Sequence, residues 1–171
     1  WHATRYKAWP NVARFVAELP QQPALVADCG CGNGKLAPAL RRARHYAVGC
    51  DFSLELVRIS AHEMRLESQH ADALALPYRS AAFDAALSIA VLHHIASPER
   101  RRRLVGETMR IIRPGGRALF YAWAYEQSEG RSGHAFASQD VFVSWTQRAP
   151  GSADADERSA AAAGETADVL Q

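Results

Sequence analysis

A glycine-rich segment that follows a short apolar run carries the strongest chemical signal in the sequence. Residues 25–27 lead into Asp28, and Gly30, Gly32 and Gly34 follow at alternate positions. Glycines permit a tight turn and let a ligand approach the backbone closely. The spacing differs from the G-x-G-x-x-G of dinucleotide sites, and no P-loop lysine and serine pattern is present. The segment predicts a small-ligand site at a strand end, with an unrelated glycine turn as the alternative.

Further carboxylates follow the next two apolar segments. Asp51 ends the second segment, where a carboxylate can accept hydrogen bonds from both hydroxyls of a ribose. Asp72 and Ala73 follow the third segment. Helix capping or turn formation is the alternative role for either aspartate. Together with the glycines, the spacing favours a ligand that contains a nucleoside.

Strands and helices alternate along the chain and must position these residues. Helical spacing predicts helices over residues 10–19, 36–42, 53–64 and 97–112, and apolar runs predict strands over 25–27, 46–50, 69–71, 83–91 and 117–123. This alternation is typical of a doubly wound α/β domain with a mainly parallel, Rossmann-like sheet and a ligand site at the carboxyl ends of its strands.

Composition limits the domain organisation and the class of protein. The 171 residues, 48% of them hydrophobic, suffice for one core, which we place in residues 1–148. Residues 149–171 are rich in Ala, Asp, Glu, Ser and Gly, and we expect a low-complexity, mobile tail. Because the first residue is Trp1 rather than Met, we expect the domain to be incomplete at its start, and we expect it to be incomplete at its C-terminal end as well. No signal peptide or membrane segment is predicted, and a net charge of +2 is far from that of a dedicated nucleic-acid binder.

Alternate glycines directly after a strand-end aspartate resemble the S-adenosylmethionine site of class I methyltransferases. The resemblance implies that Asp28 and the backbone of Gly30, Gly32 and Gly34 hold the methionine end of S-adenosyl-L-methionine. It implies that Asp51 holds the ribose, that Asp72 and Ala73 hold the adenine, and that Ser88 completes the cofactor site at the end of the fourth strand.

The same resemblance limits the chemical class of the acceptor. It implies that the acceptor meets the methyl group beside the segment Ser88 to His94. This segment lacks the Asn/Asp-Pro-Pro-Tyr-like motif common in enzymes that methylate amino groups of nucleic acids. Methylation of pyrimidine C5 needs a nucleophilic cysteine, and the three cysteines, Cys29, Cys31 and Cys50, lie elsewhere. The sequence therefore predicts an oxygen acceptor.

An ordered set of segments covering about residues 1–147 resembles the tRNA wobble-uridine carboxymethyl methyltransferases. The segments are Thr4 to Pro10, Asp28 to Lys35, Ser88 to His94 with Glu99 to Arg101, Tyr121 to Ala124 with Glu126 and Gln127, and Gln139 to Val143 with Trp145. The resemblance implies methyl esterification of 5-carboxymethyluridine in tRNA, a small zinc-binding activator protein as partner, and a cytoplasmic location with a nuclear one left open. The family's last two strands are expected to be missing, which would leave the fifth strand at the sheet edge.

The acceptor carboxylate defines the catalytic task. With a pKa of roughly 4 it is already ionised, so the domain must orient it and exclude water. We select His93, Arg101, Arg5 and Lys7 as catalytic candidates because they are cationic or hydrogen-bonding and lie in the shared segments. No metal site is predicted. A small-molecule O-methyltransferase and a catalytically silent cofactor-binding domain remain as alternatives.

Overall fold

The computed structural model describes residues 9–20, 23–123 and 169–170. The chain forms two compact units, residues 1–122 with 167–171 and residues 123–166. Apart from Trp123, the second unit lies outside the described residues, as do Arg5 and Lys7. All helices and strands given below belong to the first unit.

Helices and strands alternate through the first unit. In chain order they are α1 (Pro10–Ala17), β1 (Leu25–Cys29), α2 (Ala37–Arg42), β2 (Tyr46–Asp51), α3 (Leu54–Met64), β3 (Glu67–His70), β4 (Phe83–Ile89), a 3-10 turn (Leu92–His94), α4 (Pro98–Ile111), β5 (Ile112–Tyr121) and β6 (Val169–Leu170). The alternation predicted from the sequence is confirmed, with boundaries shifted by a few residues.

These strands form one sheet in the order β3-β2-β1-β4-β5-β6. Neighbours from β3 to β5 pair in parallel. The order reverses between β1 and β4, because β2 lies on one side of β1 and β4 on the other. Such a switch point opens a crevice at the carboxyl ends of the strands. The predicted doubly wound α/β fold is confirmed, and Asp28, in register with Gly49 and Leu87, lies at this crevice.

Apolar side chains cover both faces of the sheet, which explains the near-continuous apolar runs of the central strands. One core cluster joins α1 and α2 to the sheet through Phe15, Leu40 and Val26. The other cluster includes Ala27 of β1 and Ile111 of α4. Since successive residues of β1 contribute to opposite clusters, this strand is fixed from both sides at the point where it delivers Asp28 to the crevice.

Two helices begin at a serine whose hydroxyl caps the first turn. The Ser53 hydroxyl accepts a hydrogen bond from the Leu56 N–H at 3.4 Å, and the Ser97 hydroxyl accepts one from the Arg100 N–H at 3.3 Å. Pro98 occupies the first turn of α4, where its missing N–H costs nothing. These caps fix the chain where it leaves β2 and the 3-10 turn, directly beside the crevice.

Two expectations for the last strands need correction. The fifth strand is predicted over residues 117–123, but β5 begins at Ile112 and passes through Pro114-Gly115-Gly116 with a shift of register against β4. Beyond β5, the short strand β6 pairs antiparallel with Ala118 and Leu119. The fifth strand is therefore not the edge of the sheet over these two positions.

Candidate functional site

The glycine turn after β1 is pinned to the end of β2. The backbone N–H groups of Gly30 and Cys31 both donate to the Cys50 carbonyl, at 2.8 and 2.9 Å. Gly30 has a φ of +84° and lies so close to Val91 that a Cβ atom would overlap the valine side chain. Gly32, with a φ of +54°, has open space where a Cβ would point. A ligand can approach the backbone at Gly32, whereas Gly30 is required for packing.

Gly34 also has a positive φ, but it faces α3. A Cβ at this position would lie 2.9 Å from the Cβ of Ser60 and 3.1 Å from that of Met64. The third glycine therefore lets α3 pack closely against the turn. Its predicted contact with the cofactor stays a prediction.

Asp51 closes the turn from the side of β2. Its carboxylate accepts hydrogen bonds from the Gly32 N–H and from the Ser53 N–H, each at 2.8 Å. One backbone donor reaches each carboxylate oxygen, and the lone pairs that remain can still accept hydroxyl donors. The position predicted to hold a ribose thus also holds the glycine turn in shape.

Asp28 differs sharply from Asp51, although both end a strand at the same edge. It is only 2% exposed, and within the described residues its Oδ2 atom has no hydrogen-bond partner. Burial, followed by the nearby charge of Asp51, raises the pKa of Asp28 to about 7. A buried carboxylate without a partner is costly. A positively charged ligand group would remove that cost, which fits the methionine end of S-adenosylmethionine.

The third carboxylate and an exposed aromatic ring flank Asp51. Asp72 is exposed, and its Oδ1 accepts a hydrogen bond from the Leu74 N–H at 2.9 Å. The Ala71 N–H donates to the Asp51 carbonyl at 3.0 Å and so holds the end of β3 beside β2. Phe52, 73% exposed, lies next in the chain after Asp51. Phe52 is not among the residues predicted from the sequence, although an apolar residue directly after a strand-end carboxylate could have drawn attention to it.

The end of β4 bends sharply into the segment that was predicted to meet the acceptor. Ser88 is fully buried, and its hydroxyl has no hydrogen-bond partner within the described residues. Its predicted contact with the cofactor stays a prediction. Ala90 has a φ of +59°, which non-glycine residues rarely adopt, and its N–H donates to the Tyr121 carbonyl at 2.7 Å. An alanine has no propensity for this conformation, so no sequence signal could have revealed the bend.

The 3-10 turn after this bend presents the two histidines. His93 is half-buried and His94 exposed, with their ring centroids 4.4 Å apart. Arg101 lies on α4, and its guanidinium donates to the Ile95 carbonyl at 2.7 Å and to the Ala96 carbonyl at 3.1 Å. Arg101 therefore holds the segment that carries His93. Its predicted catalytic role stays a prediction.

Trp9 lies at the same end of the sheet as the histidines. Its ring stacks on Tyr121 at the end of β5, with the ring centroids 4.6 Å apart, and it packs against the core cluster of α1. This agrees with a packing role for Trp9. The predicted catalytic residues Arg5 and Lys7 precede it and lie outside the described residues.

The site thus combines three carboxylates that follow neighbouring strands with the 3-10 turn that carries the two histidines. The structure brings Asp28, Gly32 and Asp51 together around one glycine turn, with Asp72 and Ala73 on the neighbouring loop. Among the described residues no group of His, Cys, Asp and Glu side chains could hold a metal ion. None of the helices in this part of the chain is long and apolar enough to span a membrane.

Comparison with solved structures shows that the fold recurs in methyltransferases. A SAM-dependent methyltransferase from Methanosarcina mazei has a TM-score of 0.59 at 23% identity, over 67% of this chain and 57% of that one. A putative methyltransferase from Haloferax volcanii, solved in complex with the Trm112 methyltransferase activator, has a TM-score of 0.59 at 25% identity. That match covers 67% of this chain and 52% of the other.

Curated relatives share more sequence. The protein named tRNA (carboxymethyluridine(34)-5-O)-methyltransferase ALKBH8 from Macaca fascicularis is 46% identical over 125 residues, which are 73% of this chain and 18% of that protein. The tRNA (carboxymethyluridine(34)-5-O)-methyltransferase of Schizosaccharomyces pombe is 41% identical over 143 residues, 83% of this chain and 60% of that protein. This chain therefore spans less than two thirds of either relative.

A family model described as "Methyltransferase domain" matches residues 27–120. The match starts in β1, just before Asp28, and ends in β5, so it contains every strand that forms the crevice. It therefore includes Gly32, Asp51 and Asp72, together with the turn that carries the histidines. From the family match and the geometry of this site, we conclude that the chain belongs to the methyltransferase domain family.

Proposed function

We propose that this domain transfers a methyl group from S-adenosyl-L-methionine to the carboxylate of 5-carboxymethyluridine at the wobble position of tRNA. The choice of acceptor is supported by the names of relatives at 41–46% identity. The choice of cofactor is carried by one observation, which is that the buried Asp28 carboxylate has no hydrogen-bond partner for its Oδ2 atom within the described residues. The turn that follows it leaves open space at Gly32.

Each part of the proposed cofactor has a counterpart in the crevice. Asp28 would hold the ammonium group of the methionine end, and Asp51 would accept hydrogen bonds from the ribose hydroxyls. Asp72 and the backbone of Ala73 would hold the adenine, with Phe52 offering an exposed apolar face beside it. When bound, S-adenosylmethionine supplies a methyl group that is already activated by its positively charged sulfur. The domain itself then needs to provide orientation rather than acid or base chemistry.

The acceptor side can serve an anionic nucleophile. A carboxylate with a pKa of about 4 is ionised at neutral pH, so no residue has to remove a proton. The His93 ring, presented by the 3-10 turn, would donate a hydrogen bond that orients this carboxylate. Arg101 keeps the turn in place through the Ile95 and Ala96 carbonyls. Arg5 and Lys7 are proposed to add positive charge from the segment that precedes α1.

Two macromolecular partners belong to the proposal. Transfer RNA is the substrate named for the relatives, and the Haloferax structure pairs a similar fold with the Trm112 activator. We therefore propose that a small zinc-binding protein of this kind supports the domain. A cytoplasmic location, with a nuclear one left open, goes with this substrate.

The decisive experiment measures transfer of labelled methyl groups to tRNA that bears 5-carboxymethyluridine, with and without the activator. The matched control is the same tRNA with unmodified uridine at the wobble position. The proposal expects alkali-labile label, as from a methyl ester, on the first tRNA alone. If S-adenosylhomocysteine binds but neither tRNA is labelled, the tRNA acceptor is wrong. A small-molecule acceptor or a catalytically silent domain would then take its place.

A further inference from the structure

Three side chains of α4 bind the backbone of the loop that leads from β3 to β4. This β3–β4 loop, residues 71–82, carries Asp72 and Ala73. Arg103, Glu107 and Arg110 follow one another at helical spacing, so they lie on one side of α4. Side chains with such a common direction can hold a segment that has no regular structure of its own. Glu107 and Arg110 contact the part of the loop that is remote from Asp72, and Arg103 contacts the part next to it.

The remote part of the loop is held by an ion pair. Arg110 contacts Glu107 through two hydrogen bonds of 2.8 Å, which fixes both side chains in one plane. Glu107 accepts a hydrogen bond from the Leu76 N–H at 2.8 Å, and Arg110 donates to the Leu76 carbonyl at 3.0 Å and to the Tyr78 carbonyl at 2.9 Å. The pair therefore satisfies both backbone groups of one loop residue and a carbonyl further on.

The part next to Asp72 depends on Arg103. Its Nε donates to the Leu74 carbonyl at 2.8 Å. The N–H of the same residue, Leu74, donates to Oδ1 of Asp72 at 2.9 Å. Leu74 is 7% exposed, so its side chain anchors the residue in the core while its two backbone groups connect Arg103 to Asp72. These two groups belong to the peptide units on either side of Leu74, and the N–H of the second unit, that of Ala75, donates to the Asp72 carbonyl at 2.9 Å. A change in the backbone dihedral angles of Leu74 would therefore disturb the position of Asp72.

We propose that Arg103 is a positioning residue that determines the preference of the site for adenine. It acts through Leu74 on Asp72, which discriminates the base by accepting a hydrogen bond from its amino group. This inference rests on the proposed binding of S-adenosylmethionine. It also separates Arg103 from the rest of the run 100–103, since Arg102 extends into solvent with a side chain 76% exposed and contacts only Glu99, at 3.8 Å, within the described residues.

The competing interpretation treats Arg103 as one more cation of a solvated helix face that could contact RNA phosphates. Both interpretations allow Arg103 substitutions to reduce tRNA methylation. Only the positioning role predicts a change in how the free domain distinguishes two cofactor analogues that differ at the base. Binding measured without tRNA therefore separates the two.

The test compares Arg103→Met, Arg103→Lys and the matched control Arg102→Met by calorimetry. Methionine keeps an aliphatic chain but has no donor, whereas lysine keeps one. The ligands are S-adenosylhomocysteine and S-inosylhomocysteine, which carries an oxygen in place of the adenine amino group. Losing one hydrogen bond corresponds to about a 3- to 10-fold change. We expect Arg103→Met to weaken S-adenosylhomocysteine binding by this factor and to leave S-inosylhomocysteine binding unchanged.

The preference for adenine should therefore fall in Arg103→Met, recover in Arg103→Lys and remain as in the unsubstituted protein in Arg102→Met. Equal weakening of both ligands, an unchanged preference, or the same loss in Arg102→Met would overturn the inference. If the unsubstituted domain binds neither ligand, the cofactor assignment fails and the inference fails with it.

A second measurement does not depend on any ligand. Amide hydrogen exchange of residues 71–82 should become faster in Arg103→Met than in Arg103→Lys, because the Leu74 carbonyl loses its donor. Exchange in α1, which is remote from the loop in the sequence and packs on the other core cluster, should not change. Unaltered exchange throughout the loop would show that Arg103 does not hold it.

Discussion

Replacing Asp28 with asparagine should stabilise the domain in the absence of cofactor and abolish cofactor binding. Asp28 is buried, and within the described residues its Oδ2 has no hydrogen-bond donor. In the free domain at alkaline pH, its charge is therefore a cost of folding. An asparagine has nearly the same shape, carries no charge, and places an amide near Asp51 instead of a second carboxylate.

The magnitude follows from the shift in the pKa of Asp28, from 3.8 to about 7. Because the folded-state pKa is raised, the folded protein holds the proton more tightly than the unfolded chain. The contribution of Asp28 to the free energy of unfolding is complete below pH 4 and is lost as the pH rises through 7. A shift of about 3 units at 1.36 kcal/mol each amounts to about 4 kcal/mol. Asparagine does not titrate. The difference in the free energy of unfolding between Asp28→Asn and the unsubstituted protein should therefore shift in favour of the variant by up to that amount between pH 4 and pH 8.5.

Urea denaturation at pH 4, 6, 7 and 8.5 measures this difference, with Asp72→Asn as the control. Asp72 is exposed, and removing its charge should change the free energy of unfolding by less than about 0.5 kcal/mol. Calorimetry with S-adenosylhomocysteine tests the second half of the prediction. If Asp28→Asn changes the free energy of unfolding by the same amount at every pH, the electrostatic reasoning is refuted. If its affinity for S-adenosylhomocysteine is unchanged, the role of Asp28 in binding is refuted.

The same reasoning predicts proton release when the ligand binds to the unsubstituted domain. A cationic group beside Asp28 favours its ionised form, so affinity should rise as the pH increases through 7. Calorimetry in two buffers with different enthalpies of ionisation would detect the released proton near pH 6. The Asp28→Asn variant provides the baseline. Identical binding enthalpies in both buffers would contradict the ionisation of Asp28 on binding.

Three further substitutions test how the site is supported. Gly30→Ala should lower the free energy of unfolding, measured by urea denaturation, by about 2–4 kcal/mol, because the new Cβ overlaps Val91 at a positive φ. Gly32→Ala should lower it by about 1 kcal/mol, through backbone strain alone. Equal losses of stability in the two variants would contradict the packing argument. His45→Phe should lower the free energy of unfolding by about 2–5 kcal/mol, because the His45 ring bridges the Ala24 N–H and the Val16 carbonyl, at 3.1 Å each. A loss below 1 kcal/mol would show that these two backbone groups find other partners. Ser97→Ala should lower thermal stability by about 1 kcal/mol through loss of the α4 cap, and an unchanged melting temperature would mean that water replaces the hydroxyl.

The strands and the starts of helices were predictable because local chemistry determines them. Apolar runs that end in aspartate mark β1 and β2, and Ser97 with Pro98 marks the start of α4. The start of β5 was not predictable, because Pro114-Gly115-Gly116 is typical of a turn. In the structure Gly115 has a φ of +80°, and a Cβ at Gly116 would contact the Asp84 backbone. Close contact with β4 keeps the segment in the sheet, and that contact joins residues far apart in sequence.

The run 100–103 shows a related limit. Four consecutive arginines in the first turns of a helix oppose its dipole and indicate an unusual role. From the sequence, Arg101 was selected as a catalytic candidate. In the structure Arg101 binds the Ile95 and Ala96 carbonyls, and Arg103 binds the Leu74 carbonyl. Their partners are backbone groups, which every residue possesses, so no residue pattern could have identified them.

Asp28 and Asp51 show why residue type and position alone could not assign the parts of the site. Both are aspartates at the ends of neighbouring parallel strands, and they face the same crevice. Backbone N–H groups of Gly32 and Ser53 satisfy Asp51, so it shapes the turn whether or not a ligand is present. In the part of the chain that the structure describes, no such donor reaches Oδ2 of Asp28, and burial together with the charge of Asp51 penalises its ionised form. The carboxylate that makes the free domain less stable is thus the one that can select a cationic ligand, since a positive charge beside it removes the penalty while the carboxylate stays ionised. Loss of binding together with gain of stability in Asp28→Asn would be the direct expression of this relation.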